Sequence, residues 1–119
     1  MTAHAERRFT ILVADYLARA LPPEILWSHF PAGENRTAAT GALLKRMGLK
    51  PGWPDFVFVL RGGKAAFIEL KAGTGTLSKD QRAHEKAAQA LGAKWAECWS
   101  LEEVETVLTM WGVELRVRL

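Results

Sequence analysis

The 119-residue sequence contains a single cysteine, Cys98, and this scarcity excludes several classes of protein. One thiol can form neither an internal disulfide nor a cysteine-based zinc site, so we expect Cys98 to be a small core residue. No apolar run approaches the ~18 residues that a membrane-spanning helix needs. The N-terminus also lacks the apolar stretch of a secretory signal. These absences predict a cytoplasmic protein without a membrane span.

The sequence also lacks internal repeats, low-complexity tracts and common local site motifs. The glycine-containing segment 72–77 has neither the spacing nor the lysine of a Walker phosphate-binding loop. No histidine–carboxylate zinc motif is present. A small-molecule metallohydrolase is therefore a much weaker hypothesis than the two functions considered below. The net charge of +3 favours polyanionic partners only mildly.

The residues that are present suit one α/β domain covering residues 1–119. The chain is 49% hydrophobic and 24% charged, and it is too short for two ordinary domains. Periodicity predicts a helix, a strand, a short helix, a two-stranded hairpin, a helix, a strand, a helix and a final strand. The final strand is predicted over 113–119, where apolar and charged residues alternate, at a sheet edge or a dimer contact. We therefore expect a mixed sheet flanked by helices.

Segment 52–71 predicts a β-hairpin with charged residues at its open end, because two apolar runs flank a Gly-Gly turn. Asp55 enters the first strand, and Glu69 and Lys71 lie two residues apart on one face of the second. An even turn centred on the two glycines would put Asp55 on the opposite face from Glu69. We therefore expect an odd-numbered loop, a bulge, or departure of Asp55 from the pleat.

Two helices are predicted to flank this hairpin. Ser78 and Gln81 form a capping box that opens one of them, which gives Gln81 a structural explanation, and Gln81 shares a helix face with His84. The other helix covers 3–20, where spacing places Glu6 at the edge of the buried stripe. Glu6 can equally be a favourable acid in a first helical turn. The predicted stripe is Phe9, Leu12, Val13, Tyr16, Leu17 and Ala20.

Basic and aromatic residues supply candidate nucleic-acid contacts, although surface cations are often merely solvated. Core packing is expected for most of the five tryptophans. The exception is Trp53, which lies in the loop at 52–55 before the hairpin, called the motif loop below. His29 and His84 are expected to be packing or phosphate-contact residues rather than metal ligands. The predicted DNA-contacting residues are Arg36, Lys45, Arg46, Lys50, Trp53 and Lys79.

Three segments resemble motifs of VRR-NUC domains, which belong to the PD-(D/E)XK nuclease superfamily. They are Gly-Trp-Pro-Asp at 52–55, Phe-Ile-Glu-Leu-Lys at 67–71 and Leu-Ser-Lys-Asp-Gln at 77–81. The predicted element order also agrees with the α-β-β-β-α-β core of restriction-endonuclease-like folds. Pro-Asp followed by Glu-x-Lys is short, so the resemblance gains its specificity from the hairpin, the helix start and Glu6.

The resemblance implies a magnesium or manganese site and a set of catalytic residues. Asp55, Glu69 and the carbonyl of Leu70 would hold the ion, with Glu6 completing the site directly or through water. Lys71 would position or deprotonate the attacking water. Gln81 would orient Lys71 or the phosphate. The implied catalytic residues are Asp55, Glu69, Lys71 and Gln81.

The resemblance further implies a structure-specific endonuclease that acts on branched DNA, such as a four-way junction, and leaves 5′-phosphate and 3′-hydroxyl ends. A two-fold homodimer in a bacterial or phage-infected cell would present two sites to such a junction. The alternative is a non-catalytic DNA-binding module of a replication, repair or packaging complex. In the plainest interpretation, Asp55 caps a turn while Glu69 and Lys71 form a solvent-facing strand pair. An acid within the apolar run around Glu69 argues against that interpretation.

Overall fold

The computed structural model describes residues 3–31, 37–73 and 76–119. In chain order its elements are α1 (Ala3–Ala20), β1 (Leu26–His29), α2 (Ala38–Arg46), β2 (Phe56–Leu60), a 3₁₀ turn (Arg61–Gly63), β3 (Lys64–Leu70), α3 (Lys79–Ala90), β4 (Lys94–Cys98) and α4 (Leu101–Met110). The four strands form a sheet in the order β1-β2-β3-β4. Strands β3 and β4 are parallel and the other pairs are antiparallel. The predicted mixed α/β architecture is confirmed.

Helices α2, α3 and α4 begin where hydroxyl residues cap them. Thr37, Ser78 and Ser100 each accept a hydrogen bond from the backbone N–H three residues later, at 3.1 Å. Each of the three helices ends two residues before a glycine. The capping residues therefore set the helix boundaries that the sequence predicts.

The turn of the β2–β3 hairpin contains three residues, as an odd-numbered loop requires. Leu60 pairs with Lys64 across it, and Phe56 pairs with Ile68. Gly62 within the turn has a φ of 77°, a conformation that other residues rarely adopt. Counting one residue further places Asp55 opposite Glu69, so their side chains emerge from the same face of the sheet. Of the three expected ways to bring Asp55 to the face of Glu69, the structure has the odd-numbered loop.

The two faces of the sheet have different surroundings. One face packs against α1 and α4 to form the core, which includes Val13, Leu17, Phe56, Phe58, Ile68, Cys98, Val104 and Leu108. Cys98 is fully buried there, as predicted. The other face carries Phe67 and Glu69 on β3 and Trp95 on β4, and α3 lies over part of it. The buried acid Glu69 therefore lies on the face that α3 partly covers.

Most of the tryptophans and most residues of the predicted α1 stripe are packed as the sequence predicts. Trp95 is buried, and Trp27 and Trp111 pack against the core. Trp99 is 41% exposed because it follows the end of β4. In α1, Leu12 is 51% exposed, so its assignment to the buried stripe is wrong.

The predicted final strand is absent, since residues 112–119, all of them described, form no strand. Val113 is buried in the core, and the N–H of Arg116 donates to the carbonyl of Ala20 at 2.7 Å. The Tyr16 hydroxyl donates to the carbonyl of Val117 at 3.0 Å. Alternation predicts an apolar side but not a neighbouring strand, and this segment buries its apolar side against helices instead.

Helix α2 contrasts with the others because none of its side chains is buried. It therefore lies on the surface of the fold, with Lys45 and Arg46 in its last turn. Within the described ranges, no helix has the length and apolar character needed to cross a membrane.

Candidate active site

Asp55 and Glu69 form a carboxylate pair in which each side chain binds the other residue's strand. The N–H of Asp55 donates to Glu69 Oε1 at 3.1 Å, and Asp55 Oδ2 accepts from the N–H of Leu70 at 2.7 Å. These reciprocal bonds extend the pairing of β2 with β3 to Asp55, the residue before β2. They also hold both carboxylates on the sheet face that α3 covers.

Strand β1 holds the backbone of Asp55 in place. The carbonyl of Asp55 accepts from the N–H of Phe30 at 2.8 Å and from the Nδ1–H of His29 at 2.7 Å. Pro54, immediately before it, is fully buried. His29 therefore positions a carboxylate, a role that sequence reasoning missed and that only the pairing of β1 with β2 reveals.

Gln81 and Lys71 complete the cluster around Glu69. Gln81 Nε2 donates to Glu69 Oε2, and Gln81 Oε1 accepts from Lys71 Nζ at 3.1 Å. Lys71 Nζ lies 3.6 Å from Glu69 Oε2. Gln81 Oε1 also accepts from the N–H of Ser78 at 3.1 Å. One amide side chain therefore closes the capping box of α3 and binds two of the predicted site residues.

Glu69 is the buried acid of this cluster, with 4% of its surface exposed. The pKa of Glu69 is raised to about 9: burial is the largest cause, hydrogen bonding and charge at Asp55 add to the rise, and the charge of Lys71 opposes it. In a poorly solvated site, a carboxyl group close to a second one favours its uncharged form. A cation placed at the pair would remove the cost of ionising Glu69.

Close contact joins the motif loop to the start of α3. Gly52 has a φ of +89°, and a Cβ added there would lie 2.5 Å from the carbonyl oxygen of Asp80. Glycine is therefore required at this position both for its backbone conformation and for the space. The contact sets the distance between the loop that carries Asp55 and the helix that carries Gln81.

The structure does not bring every predicted residue to the pair. Glu6 is exposed rather than at a buried edge, so that interpretation is wrong. Glu97 pairs with Glu69 across β3 and β4 and emerges on the same face. Among the residues described, however, no three His, Cys, Asp or Glu side chains come close enough to share a metal ion. Glu6 and Glu97 therefore remain outside the carboxylate pair, and the role of Glu6 as a ligand stays a prediction.

The predicted DNA-contacting residues fall into two groups. Lys79 is exposed at the start of α3, and Trp53 is half-buried beside Asp55. Lys45, Arg46 and Lys50 are exposed on α2 and the segment after it. Arg36 lies outside the described residues. The basic side chains described here are therefore accessible to a polyanion, and their role as contacts stays a prediction.

Comparison with known proteins gives one solved structure that resembles the whole fold. It is described as a VRR_NUC domain protein, and the superposition has a TM-score of 0.72 with 21% sequence identity. It covers 93% of this chain and 90% of that chain. The chain has the fold of a VRR_NUC domain. No protein-family profile and no curated protein sequence matches it.

The hairpin and the first turn of α3 account for the arrangement of the cluster. The hairpin supplies Asp55 and Glu69, the residue after β3 supplies Lys71, and the first turn of α3 supplies Gln81. The segment before β2, the end of β3 and the first turn of α3 therefore meet at one end of the sheet. The oxygen-rich donor set fits Mg²⁺, which proteins commonly bind through one or two carboxylates together with substrate phosphates.

Proposed function

We propose that the protein is a metal-dependent endodeoxyribonuclease that hydrolyses phosphodiester bonds in branched DNA and leaves 5′-phosphate and 3′-hydroxyl ends. The observation that carries this proposal is the cluster of a paired Asp55 and Glu69 with Lys71 at 3.6 Å from the buried acid. A solvent-facing strand pair would not bury Glu69 or bond it to a helix. The VRR_NUC fold supports the same reaction class.

The carboxylate pair suits a divalent cation for a specific reason. Glu69 is desolvated, and its ionised form needs positive charge nearby. Asp55, Glu69 and the carbonyl of Leu70 would hold Mg²⁺ or Mn²⁺, which would stabilise the negative charge that builds on the phosphoryl oxygens. Glu6 would join this set through water, because it is exposed in the structure.

Lys71 and Gln81 have separate tasks in this proposal. Lys71 presents an ammonium group beside the pair, where it positions a water for attack in line with the leaving oxygen. Gln81 holds that ammonium through its Oε1 and Glu69 through its Nε2. Gln81 is therefore a positioning residue whose contribution depends on the two groups it bonds.

Exposed cations favour DNA as the substrate. Lys45, Arg46, Lys50 and Lys79 are exposed, and the chain carries a net charge of +3. Phosphate contacts by such residues add affinity without sequence preference. We propose that a two-fold dimer presents two sites to a four-way junction, which requires no sequence specificity.

The second candidate is a non-catalytic DNA-binding module of a replication, repair or packaging complex. It is favoured by helix α2, whose exposed basic residues need no active site to bind DNA. It gives no reason, however, for a buried glutamate held against Asp55, Lys71 and Gln81.

Cleavage of labelled DNA distinguishes the two candidates. Junction, flap, linear duplex and single-stranded DNA are incubated with Mg²⁺ or Mn²⁺ and the wild type, Asp55→Asn or Lys71→Ala. Asp15→Asn and Lys86→Ala are matched controls at exposed helix positions. We expect the wild type and both controls to cleave branched DNA, and the two site variants to lose activity. Binding without cleavage by the wild type would favour the second candidate.

A further inference from the structure

A pocket of about 470 Å³ lies between α3 and β3 beside the carboxylate pair. Trp53, Phe67 and His84 line one end of it. Ala65 on β3 and Ala87 on α3 line opposite walls. We call this the aromatic pocket. Its volume lies in the range of ~300–1,000 Å³ that is usual for sites that bind small molecules.

The aromatic end of the pocket consists of rings in mutual contact. The ring centroids of Trp53 and His84 are 4.4 Å apart, and those of Trp53 and Phe67 are 5.8 Å apart. Trp53 and His84 are each only half-buried. The rings therefore support one another and still present surface to a flat group that enters the pocket.

The pocket adjoins the candidate active site along β3, α3 and the motif loop. Phe67 and Glu69 project from the same face of β3, about 7 Å apart along a strand. His84 follows Gln81 by one turn of α3. Trp53 precedes Asp55 by two residues in the motif loop. A group next to the scissile phosphate is therefore within reach of the pocket.

The electrostatic character of the pocket suits an uncharged ring attached to a phosphate chain. No acid is present among the described residues that line it, and Lys64 at its rim is the cation. Lys64 Nζ donates to the carbonyl of Gly92 at 3.0 Å. Burial lowers the pKa of His84, which favours its neutral imidazole.

We propose that the aromatic pocket binds an unpaired nucleobase of the DNA substrate, next to the phosphate that is cut. This inference rests on the proposed function, because it takes DNA as the ligand. A base inside a duplex is stacked on both sides and enters a concave site only after it is unstacked and unpaired, which costs free energy that an unpaired base does not require. Trp53 and His84 offer the stacking surface that single-stranded DNA binds without sequence preference. The pocket would then favour substrates whose nucleotides are unpaired, or unpair readily, at the cleavage point, as at the branch of a junction.

Three DNA probes separate base binding from phosphate binding. They are a blunt duplex, the same duplex with a short oligothymidine tail, and the same duplex with a tail of abasic residues. Binding is measured by fluorescence anisotropy with Ca²⁺ in place of Mg²⁺, and gels confirm that the probes stay intact. We expect the wild type to bind the thymidine tail about five- to a hundred-fold more tightly than the abasic tail.

Filling the pocket provides the second comparison. Ala87→Phe occupies it from the helix side, and Ala65→Phe occupies it from the strand side, both at exposed positions. Ala90→Phe introduces the same ring at an exposed position of α3 that does not line the pocket. We expect both filling variants to lose the preference for the thymidine tail and Ala90→Phe to keep it.

The outcomes separate this inference from the proposed function. Equal binding of the thymidine and abasic tails by the wild type would overturn the pocket assignment, even if the protein cleaves DNA. Retention of the preference in both folded filling variants would also overturn it. A preference that disappears only in the filling variants would support the assignment, even if no DNA is cleaved under any condition.

Discussion

Helices α1 and α3 each carry a polar residue in the first turn, Glu6 and Gln81, and the surroundings of these two residues differ. The side chain of Gln81 bonds Glu69, Lys71 and the N–H of Ser78. Glu6 is exposed, and its carbonyl accepts a hydrogen bond from Thr10 at 3.0 Å. A side chain that also closes a cap is held in one place by local geometry. A lone acid on a helix is placed only by how the whole helix packs.

The largest expected effect comes from removing the buried acid that Gln81 bonds. Glu69→Gln keeps the shape of the side chain and loses its charge, so we expect cleavage to fall on the order of 10³-fold with the fold intact. Initial rates on junction DNA in Mg²⁺ measure this loss. Glu97→Gln, one strand away on the same face, is the matched control and should change the rate little. Similar losses in both variants would mean that the cluster at Gln81 has no special role.

The burial of Glu69 also predicts how pH changes the stability of the metal-free protein. Because its pKa rises from 4.5 when unfolded to about 9 when folded, the folded state binds the proton more tightly. The contribution of Glu69 to the free energy of unfolding is fully present below pH 4.5, decreases as pH rises and is lost above about pH 9. The slope approaches about 1.4 kcal/mol per pH unit within that window.

Urea unfolding at a series of pH values tests this dependence. Glu69→Gln removes the titrating group, so its stability should decrease less than that of the wild type between pH 5 and pH 9 (roughly the window set by the two pKa values). Parallel profiles for the two proteins would show that Glu69 titrates normally and is not desolvated by α3.

Two substitutions separate the role of Gln81 in the candidate site from its role in the helix cap. Gln81→Ala removes the bonds to Glu69 and Lys71 and one bond of the capping box, and we expect activity to fall about 10–100-fold. Ser78→Ala removes a cap bond but leaves the Gln81 side chain, so it should cost about 1 kcal/mol of stability with little loss of activity. Thermal melts and cleavage rates are measured on both. Equal activity losses would assign Gln81 a purely structural role.

The contact that brings α3 to the motif loop is tested at Gly52. Gly52→Ala introduces both backbone strain and a collision with Asp80, whereas Gly48→Ala, at a φ of +100° with open space around it, introduces strain alone. We expect about 1–3 kcal/mol of destabilisation from strain in each. Gly52→Ala should lose more stability, and activity as well. Equal melting temperatures would show that the approach of α3 is not close.

Local chemistry explains which features could be predicted from the sequence. The capping box of Ser78 and Gln81 and the helix face that Gln81 shares with His84 follow from residues close in sequence. The pairing of Asp55 with Glu69 required an odd turn, which the Gly-Gly segment allows but does not specify. The segment 113–119 and the partnership of His29 with Asp55 depend on neighbours distant in sequence, which alternation cannot identify.

The smallest effect is expected at Glu6. Because Glu6 is exposed and does not join the carboxylate pair, Glu6→Gln should reduce cleavage by no more than about tenfold, the lower limit for residues that act on a metal through others. Cleavage rates over a Mg²⁺ titration measure this, with Glu85→Gln on α3 as the control. A loss as large as that of Glu69→Gln would show that α1 moves its first turn to the pair when substrate binds. Glu6 and Gln81 would then differ in their distance from the carboxylate pair only in the protein without DNA.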